Sequence, residues 1–205
     1  IQEEDAAYRQ RKGTSRHRPA RPLYTESDAR RSLRSLEALD LGKRLDVAGL
    51  RLRLHRAGPI LGAASLEIGT PQGTLLFSGD LGRADDPIML PPARPPGADW
   101  VFVESTYGDR THPRTDPVEA LAAILRRTLE RGGIMLIPAF AVGRTQNLLY
   151  YFHQIFERDL APRVPVFVNS PMATNVTRLY QRWHDYHRLD EAQSASVCGV
   201  ASYVQ

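Results

Sequence analysis

Residues 75–83 read LLFSGDLGR, and residues 100–112 read WVFVESTYGDRTH. Each stretch is an apolar run that closes on a carboxylate, Asp80 in the first and Glu104 in the second. Thr74 to Ser78 has the composition of a strand. Gly79 and Gly82 on either side of Asp80 let the backbone turn sharply and bring the carboxylate to a rim. WVFVES stays apolar until Glu104, the pattern of a strand buried on both faces. A carboxylate reached directly from such a strand must be paired or functional, because burying it bare is costly. Taken singly, each has a plain reading: Asp80 as a turn former, Glu104 as half of an ion pair with an arginine. Two strand ends that bring carboxylates to one sheet edge are also where α/β folds hold ligands.

Upstream, Leu50, Leu52 and Leu54 alternate with Arg51, Arg53 and His55, the period of a half-buried strand. With Ala64 to Ile68 and Thr74 to Ser78, joined across Gly69, Pro71 and Gly73, residues 46–80 read as a small antiparallel meander. Further back, Thr25 and Asp28 give a capping box, with Ala29, Leu33, Leu36 and Leu39 on one face of an amphipathic helix. Residues 1–24 mix charges, Gly13, Pro19 and Pro22 without period and read as a loop or arm. Its Arg9, Arg11, Lys12, Arg16, Arg18 and Arg21 could meet phosphate or simply be solvated.

Downstream the pattern changes. Asp116 and Pro117 start a helix over 118–130 that Gly132 and Gly133 end. IMLIP reads as a buried strand, a second helix runs from about Thr145 to Arg158, VPVFVNS is a third strand, and SPMA opens a helix reaching about His187. Strand and helix alternating in this way imply right-handed crossovers and a parallel, Rossmann-like sheet. The change of style places a boundary near residues 107–114.

Of 27 Lys and Arg against 23 Asp and Glu, only Lys12 and Lys43 are lysines. An arginine bias of this kind fits GC-rich codons as well as a nucleic-acid surface, so the charge of +4 points to no partner class. Cys198, the single cysteine, excludes an intramolecular disulfide and a cysteine-based zinc site, which leaves His and carboxylate as metal ligands. No apolar run has the length of a membrane span and no signal core leads the chain, so a cytoplasmic protein, cut at its front, is the expectation.

HRAGPILGAA, then Asp80-Leu81-Gly82, Glu104-Ser105-Thr106-Tyr107-Gly108, IPAFAVGRTQNLL and VNSPMA follow one another in an order that resembles the metallo-β-lactamase-fold ribonucleases carrying an inserted β-CASP domain. The similarity runs from about Tyr8 to the end and is greatest to the bacterial RNA-processing members and the nuclease of mRNA 3′-end cleavage. It implies an α/β chain made of a partial metallo-β-lactamase αββα sandwich over 1–108, lacking its N-terminal metal-binding half, and a partial Rossmann-like β-CASP domain over 109–205. It also implies an RNA phosphodiester hydrolase with two Zn2+ ions about 3.5–4 Å apart that polarise the phosphate and supply hydroxide. Asp80 matches the carboxylate bridging the metals, and Glu104 the acidic residue that opens the β-CASP domain and joins its acid network. The proton donor to the leaving oxygen would be a His beyond this chain's end. DNA-acting relatives usually read differently at ESTYG, which favours RNA.

Two departures qualify the resemblance. The family has A-G-H-I-L-G where this chain has Ala57-Gly58-Pro59-Ile60-Leu61-Gly62, and proline offers a metal no side-chain donor. The H-x-H-x-D-H ligand stretch is absent too. His55, four strand positions before Pro59, is displaced by roughly 12 Å or more, too far to substitute. His184 and His187 share a helical i, i+3 spacing but lack a third ligand. His112 reads as a surface loop residue. The expectation is therefore a chain that is inactive by itself and holds no tight zinc; the alternative is a non-catalytic RNA-binding or scaffold paralogue with a degraded metal site. Arg144 at a strand-to-helix junction suits phosphate oxygens, or else a carboxylate across an interface. Ser170, with Asn169 and Met172, opens the next helix similarly, and Tyr107 could stack on a base or close the core. Open sheet edges leave the fold marginal and receptive to a homodimer contact or a completing partner chain.

Overall fold

The computed structural model describes residues 2–113 and 115–204. The chain divides into two compact units, 1–40 and 41–205. Arg114, at the far limit of the expected boundary, lies outside the described residues.

The first unit holds α1 (Gln2–Lys12) and α2 (Glu26–Ser32), the latter followed by a short 3-10 turn at Leu33–Ser35. The arm expected over 1–24 is thus helical in its first half. Acids at Glu3, Glu4 and Asp5 and bases at Arg9, Arg11 and Lys12 match the helix dipole, and Asp5 pairs with Arg9 at 2.8 Å across one turn. The Thr25–Asp28 capping box forms on both sides. Its helix is shorter than the leucine pattern suggests: Leu36 is extended, and Leu33 and Leu36 are 62% and 72% exposed.

The second unit begins with a five-stranded sheet in sequence order: β1 (Arg44–Val47), β2 (Leu50–Arg56), β3 (Ala64–Thr70), β4 (Gly73–Phe77) and β5 (Trp100–Phe102). The first four are an antiparallel meander; β4 and β5 pair parallel. β1 was not legible in the sequence, because Ala48 and Gly49 make the two-residue turn with positive φ at both positions in place of the usual Asn-Gly. The expectation that WVFVES is buried on both faces is wrong. β5 is a three-residue edge strand, and Trp100, Val101, Phe102 and Val103 are 49–63% exposed.

Helices α3 (Pro117–Glu130) and α4 (Arg144–Glu157) form as read, the first capped by the Asp116 side chain. IMLIP is not a strand. Ile134 and Leu136 are 87% exposed while Met135 turns onto the α3–α4 cluster, an extended segment with no neighbour to pair with among the described residues. The parallel sheet of this half is two short strands, β6 (Phe167–Asn169) and β7 (Ser202–Val204). The helix from SPMA, α5 (Pro171–Arg182), stops five residues short of His187. Trp183 leaves helical geometry, and α6 (Glu191–Cys198) restarts from Asp190, which caps Gln193 reciprocally.

One feature joins sheet to helices. Ile88 and Met89, in the loop after β4, are 1% and 3% exposed and pack with Leu149, Tyr180, Leu189 and Val197. Each contributes about 2–3 kcal/mol by burial. Asp86 Oδ1 accepts from the Ile88 and Met89 amides, and its other oxygen from Asn147. Arg188 donates to the Met89 and Ala84 carbonyls, and its amide to the Ile88 carbonyl at 2.7 Å.

Candidate functional site

The parallel pairing of β4 and β5 sets the site. Phe77 lies opposite Phe102, so Asp80, three residues on, and Glu104, two residues on, leave the sheet at the same end. Ser78 holds the two exits together. Its amide donates to the Phe102 carbonyl at 2.8 Å, and its hydroxyl accepts from the Glu104 amide at 3.0 Å while donating to the Gly79 carbonyl. Ser65 from β3 donates to the Ser78 carbonyl beneath.

The Asp80 loop is then folded tightly. Gly79 has φ +58, and a Cβ there would come within 2.8 Å of the Ala64 carbonyl oxygen. At Gly82 a Cβ would fall 2.3 Å from the Gly58 carbonyl carbon, and the Gly82 amide donates to Ala57. Gly58 and Pro59 thus lie against the turn that carries Asp80. The AFAVGR loop reaches the same place: a Cβ on Gly143 would be 3.1 Å from Ile60 and 3.8 Å from the Pro59 carbonyl oxygen. Loop 57–60 thus touches both the Asp80 turn and loop 140–144.

Glu104 is held as an anion. Its carboxylate accepts from the Thr106 hydroxyl at 2.7 Å, the Thr106 amide at 3.0 Å and the Leu81 amide at 3.3 Å. These bonds, the Thr106 hydroxyl foremost, draw its pKa below the usual glutamate value. Among the described residues no arginine pairs with it, and the carboxylate ties the Glu104 exit to the Asp80 turn. Asp80 is exposed and has no hydrogen-bond or ion-pair partner among the described residues.

Tyr107 is 59% exposed with His112 edge-on at 5.0 Å, so it does not close a core. Arg144 is exposed at the start of α4, and among the described residues it has no carboxylate partner. Ser170 caps α5, its hydroxyl accepting from Ala173 at 3.2 Å, which occupies one side of the group read as a substrate contact. The two helices are linked where Gln146, in the first turn of α4, donates to Thr177, in the second turn of α5, at 2.9 Å.

The histidines are largely engaged elsewhere. His55 meets Glu67 across β2 and β3 at 2.6 Å. His184 and His187 are not on one helix: the first sits in a 3-10 turn, the second beyond it. His187 is buried, accepting from the Leu189 amide at Nδ1 and therefore donating from Nε2 to the Tyr180 carbonyl, which makes it a structural residue. Among the described residues no three His, Cys, Asp or Glu side chains are grouped as a metal requires. Pro59, which has no side-chain donor for a metal, stands at the position where the resemblance expects a His.

Residues 145–205 match the Beta-Casp domain family. Among curated proteins, Ribonuclease TTHA0252 of Thermus thermophilus is 39% identical over 162 residues, covering 78% of this chain and 37% of that protein. Endoribonuclease YSH1 of Yarrowia lipolytica is 33% identical over 168 residues, covering 78% and 20%. Cleavage and polyadenylation specificity factor 73 of Drosophila melanogaster is 32% identical over 168 residues, covering 78% and 24%. The chain spans less than two fifths of the length of these relatives.

Proposed function

We propose that this chain, whose residues 145–205 match the Beta-Casp domain family and most of whose length is similar to proteins named as ribonucleases, is part of an RNA phosphodiester hydrolase acting in RNA processing or degradation. The observation that carries the reading is the convergence of Asp80 and Glu104 at one end of the β4–β5 pair, beside the Gly58–Pro59 and Gly143 loops. Residues 1–108 are assigned to a partial metallo-β-lactamase sandwich and 109–205 to a partial β-CASP domain.

In this reading Glu104 stays ionised and positions the Asp80 turn through the Leu81 amide, rather than donating a proton. Arg144 and the amides at the start of α4 contact phosphate, Ser170 lies at a second helix start, and the exposed ring of Tyr107 stacks on a base. In this reading the chain by itself does not retain the two zinc ions of the family site. The reading places the protein in the cytoplasm, where the bacterial RNA-processing members of the family would act. No helix among the described residues is long and apolar enough to cross a membrane. The open β5 edge is where a second copy or a completing chain would pair.

Elemental analysis and a labelled-RNA cleavage assay test this. The 205 residues alone are expected to carry no stoichiometric zinc and to cleave nothing. The longer protein, with its upstream sequence, is expected to cleave RNA and to lose that activity on Asp80→Ala. Pro59 favours one other reading, a non-catalytic RNA-binding or scaffold paralogue, which would be indicated if the longer protein bound RNA without cleaving it.

A further inference from the structure

Between Asp5 and Glu26 the chain carries no acidic residue, yet it holds Arg9, Arg11, Lys12, Arg16, Arg18 and Arg21. The C-terminal end of α1 accounts for the first three, because cations there complement the helix dipole. The last three lie beyond the helix, so neither the dipole nor an i, i+4 partner accounts for them. Among the described residues none of Arg16, Arg18 and Arg21 forms an ion pair. Uncompensated cations so close together repel one another, and an anionic partner removes that cost.

The backbone gives Arg18 a concave setting. Gly13, with φ +67, turns the chain out of α1, and the Ala20 amide returns to the Gln10 side chain. The closed turn surrounds a cleft of about 380 Å3 lined by Arg9, Gln10, Ser15, His17 and Arg18 among others. Arg9 is held toward Asp5 at 2.8 Å, whereas Arg18 faces the cleft with its charge unmet. Tyr8 and Tyr24, at the two ends of the basic stretch, are 52% and 53% exposed. The Lys12 ammonium stands 5.9 Å over the Tyr8 ring. Arginines flanked in the chain by exposed rings suit a single-stranded nucleic acid, whose phosphates take the arginines and whose bases take the rings.

We propose that the turn at residues 9–21 is a binding site for the phosphate backbone of single-stranded RNA, contributed by the first unit independently of the residues around Asp80. Its choice of RNA rests on the ribonuclease reading; its phosphate chemistry rests on the cleft. Arg18 in the cleft and the exposed Arg16 outside it are the principal contacts, and the site takes the strand without regard to base sequence.

Fluorescence anisotropy of this chain with a short labelled single-stranded RNA, read as a function of salt, tests the site. Arg16→Glu with Arg18→Glu is expected to weaken binding by at least about tenfold and to flatten the log–log salt slope by about 1.4, the share of two phosphate contacts. Arg16→Lys with Arg18→Lys keeps the charge and is expected to stay within about threefold of the parent. The proposal is overturned if the parent binds no RNA, or if the double Glu variant binds as the parent does. It is also overturned if Arg127→Glu with Arg131→Glu, on the exposed side of α3, gives an equal loss, since net charge alone would then be the cause. Retention of the parent on phosphatidylserine vesicles without RNA binding would assign the patch to a lipid surface and overturn it too. Cleavage is not read in this assay, so a binding site that survives while the longer protein fails to hydrolyse RNA separates the two conclusions.

Discussion

Phe77 and Phe102 stack face to face, their centroids 4.5 Å apart and their planes 6° from parallel, across the one parallel pair of the five-stranded sheet. That contact fixes the register by which Asp80 and Glu104 arrive together. A slip of one residue would send alternate side chains to the opposite face. Phe102→Ala is therefore expected to cost about 1 kcal/mol, the scale of an aromatic pair at a half-exposed edge, read by urea denaturation. Phe102→Tyr should retain the stack. Equal stability of Phe102→Ala and the parent would show that the rings do not hold the edge.

Gly82 is expected to be the least replaceable residue of the Asp80 turn. Its absent side chain leaves room for the Gly58 carbonyl, and both sides of that contact are backbone. Gly82→Ala should lower stability by about 2 kcal/mol or more, because nothing flexible can move aside. At Gly49 the φ of +81 is the main obstacle, as a Cβ there meets nothing within 4 Å, so Gly49→Ala should cost only about 1 kcal/mol. A smaller loss at Gly82 than at Gly49 in thermal melts would reverse this ranking.

Glu104 gives a sign that can be checked by titration. Its carboxyl is held below the ordinary value of 4.5, first by the Thr106 hydroxyl. A group whose folded pKa is depressed adds stability above its unfolded pKa and loses it as pH falls through the folded value. The contribution should thus be complete at neutral pH and disappear on acidification below the usual glutamate range. Thr106→Val should move the Glu104 titration upward when followed by NMR. An unchanged titration would assign the shift to the backbone amides instead.

Asp80 should matter to chemistry and hardly to folding. It is exposed and without a partner among the described residues, so Asp80→Asn is expected to change stability by less than about 0.5 kcal/mol. In the longer protein the same change should abolish RNA cleavage. A large fall in melting temperature would mark Asp80 as structural.

Arg188 is predicted to be costly to truncate. It donates to the Met89 and Ala84 carbonyls from the far side of the chain, and hydrogen bonds from a charged donor are worth about 1.5–3 kcal/mol. Arg188→Ala should lower the urea midpoint by that order. Arg188→Lys should recover only part, as one ammonium cannot match the fork.

The sequence patterns that proved legible are those with a local cause. Alternating Leu50, Leu52 and Leu54 mark a strand whatever lies around it, and Asp116-Pro117 begins a helix by its own geometry. The apolar runs misled. WVFV and IMLIP state that something should cover them, and a run cannot say whether the cover is present. The break at Trp183 was hidden because His184 and His187 keep helical spacing, and what places His187 is a buried bond to the Tyr180 carbonyl. A readable signal was overlooked next door, for Asp190 and Gln193 spell a capping box that announces a new helix. At the site, the strand-end positions of Asp80 and Glu104 could be read from the text. The packing of Gly82 on Gly58, which needs two loops far apart in the chain, could not.

Ile88 and Met89 belong by sequence to the sheet and by environment to the helices. Whoever divides this protein into separately expressed pieces will therefore find no neutral place to cut after Leu90. The downstream piece would carry an open, greasy socket floored by Leu149, Leu189 and Val197, and the upstream piece a plug with nowhere to go. The sheet and the helices of residues 41–205 must therefore be handled as one folding partnership.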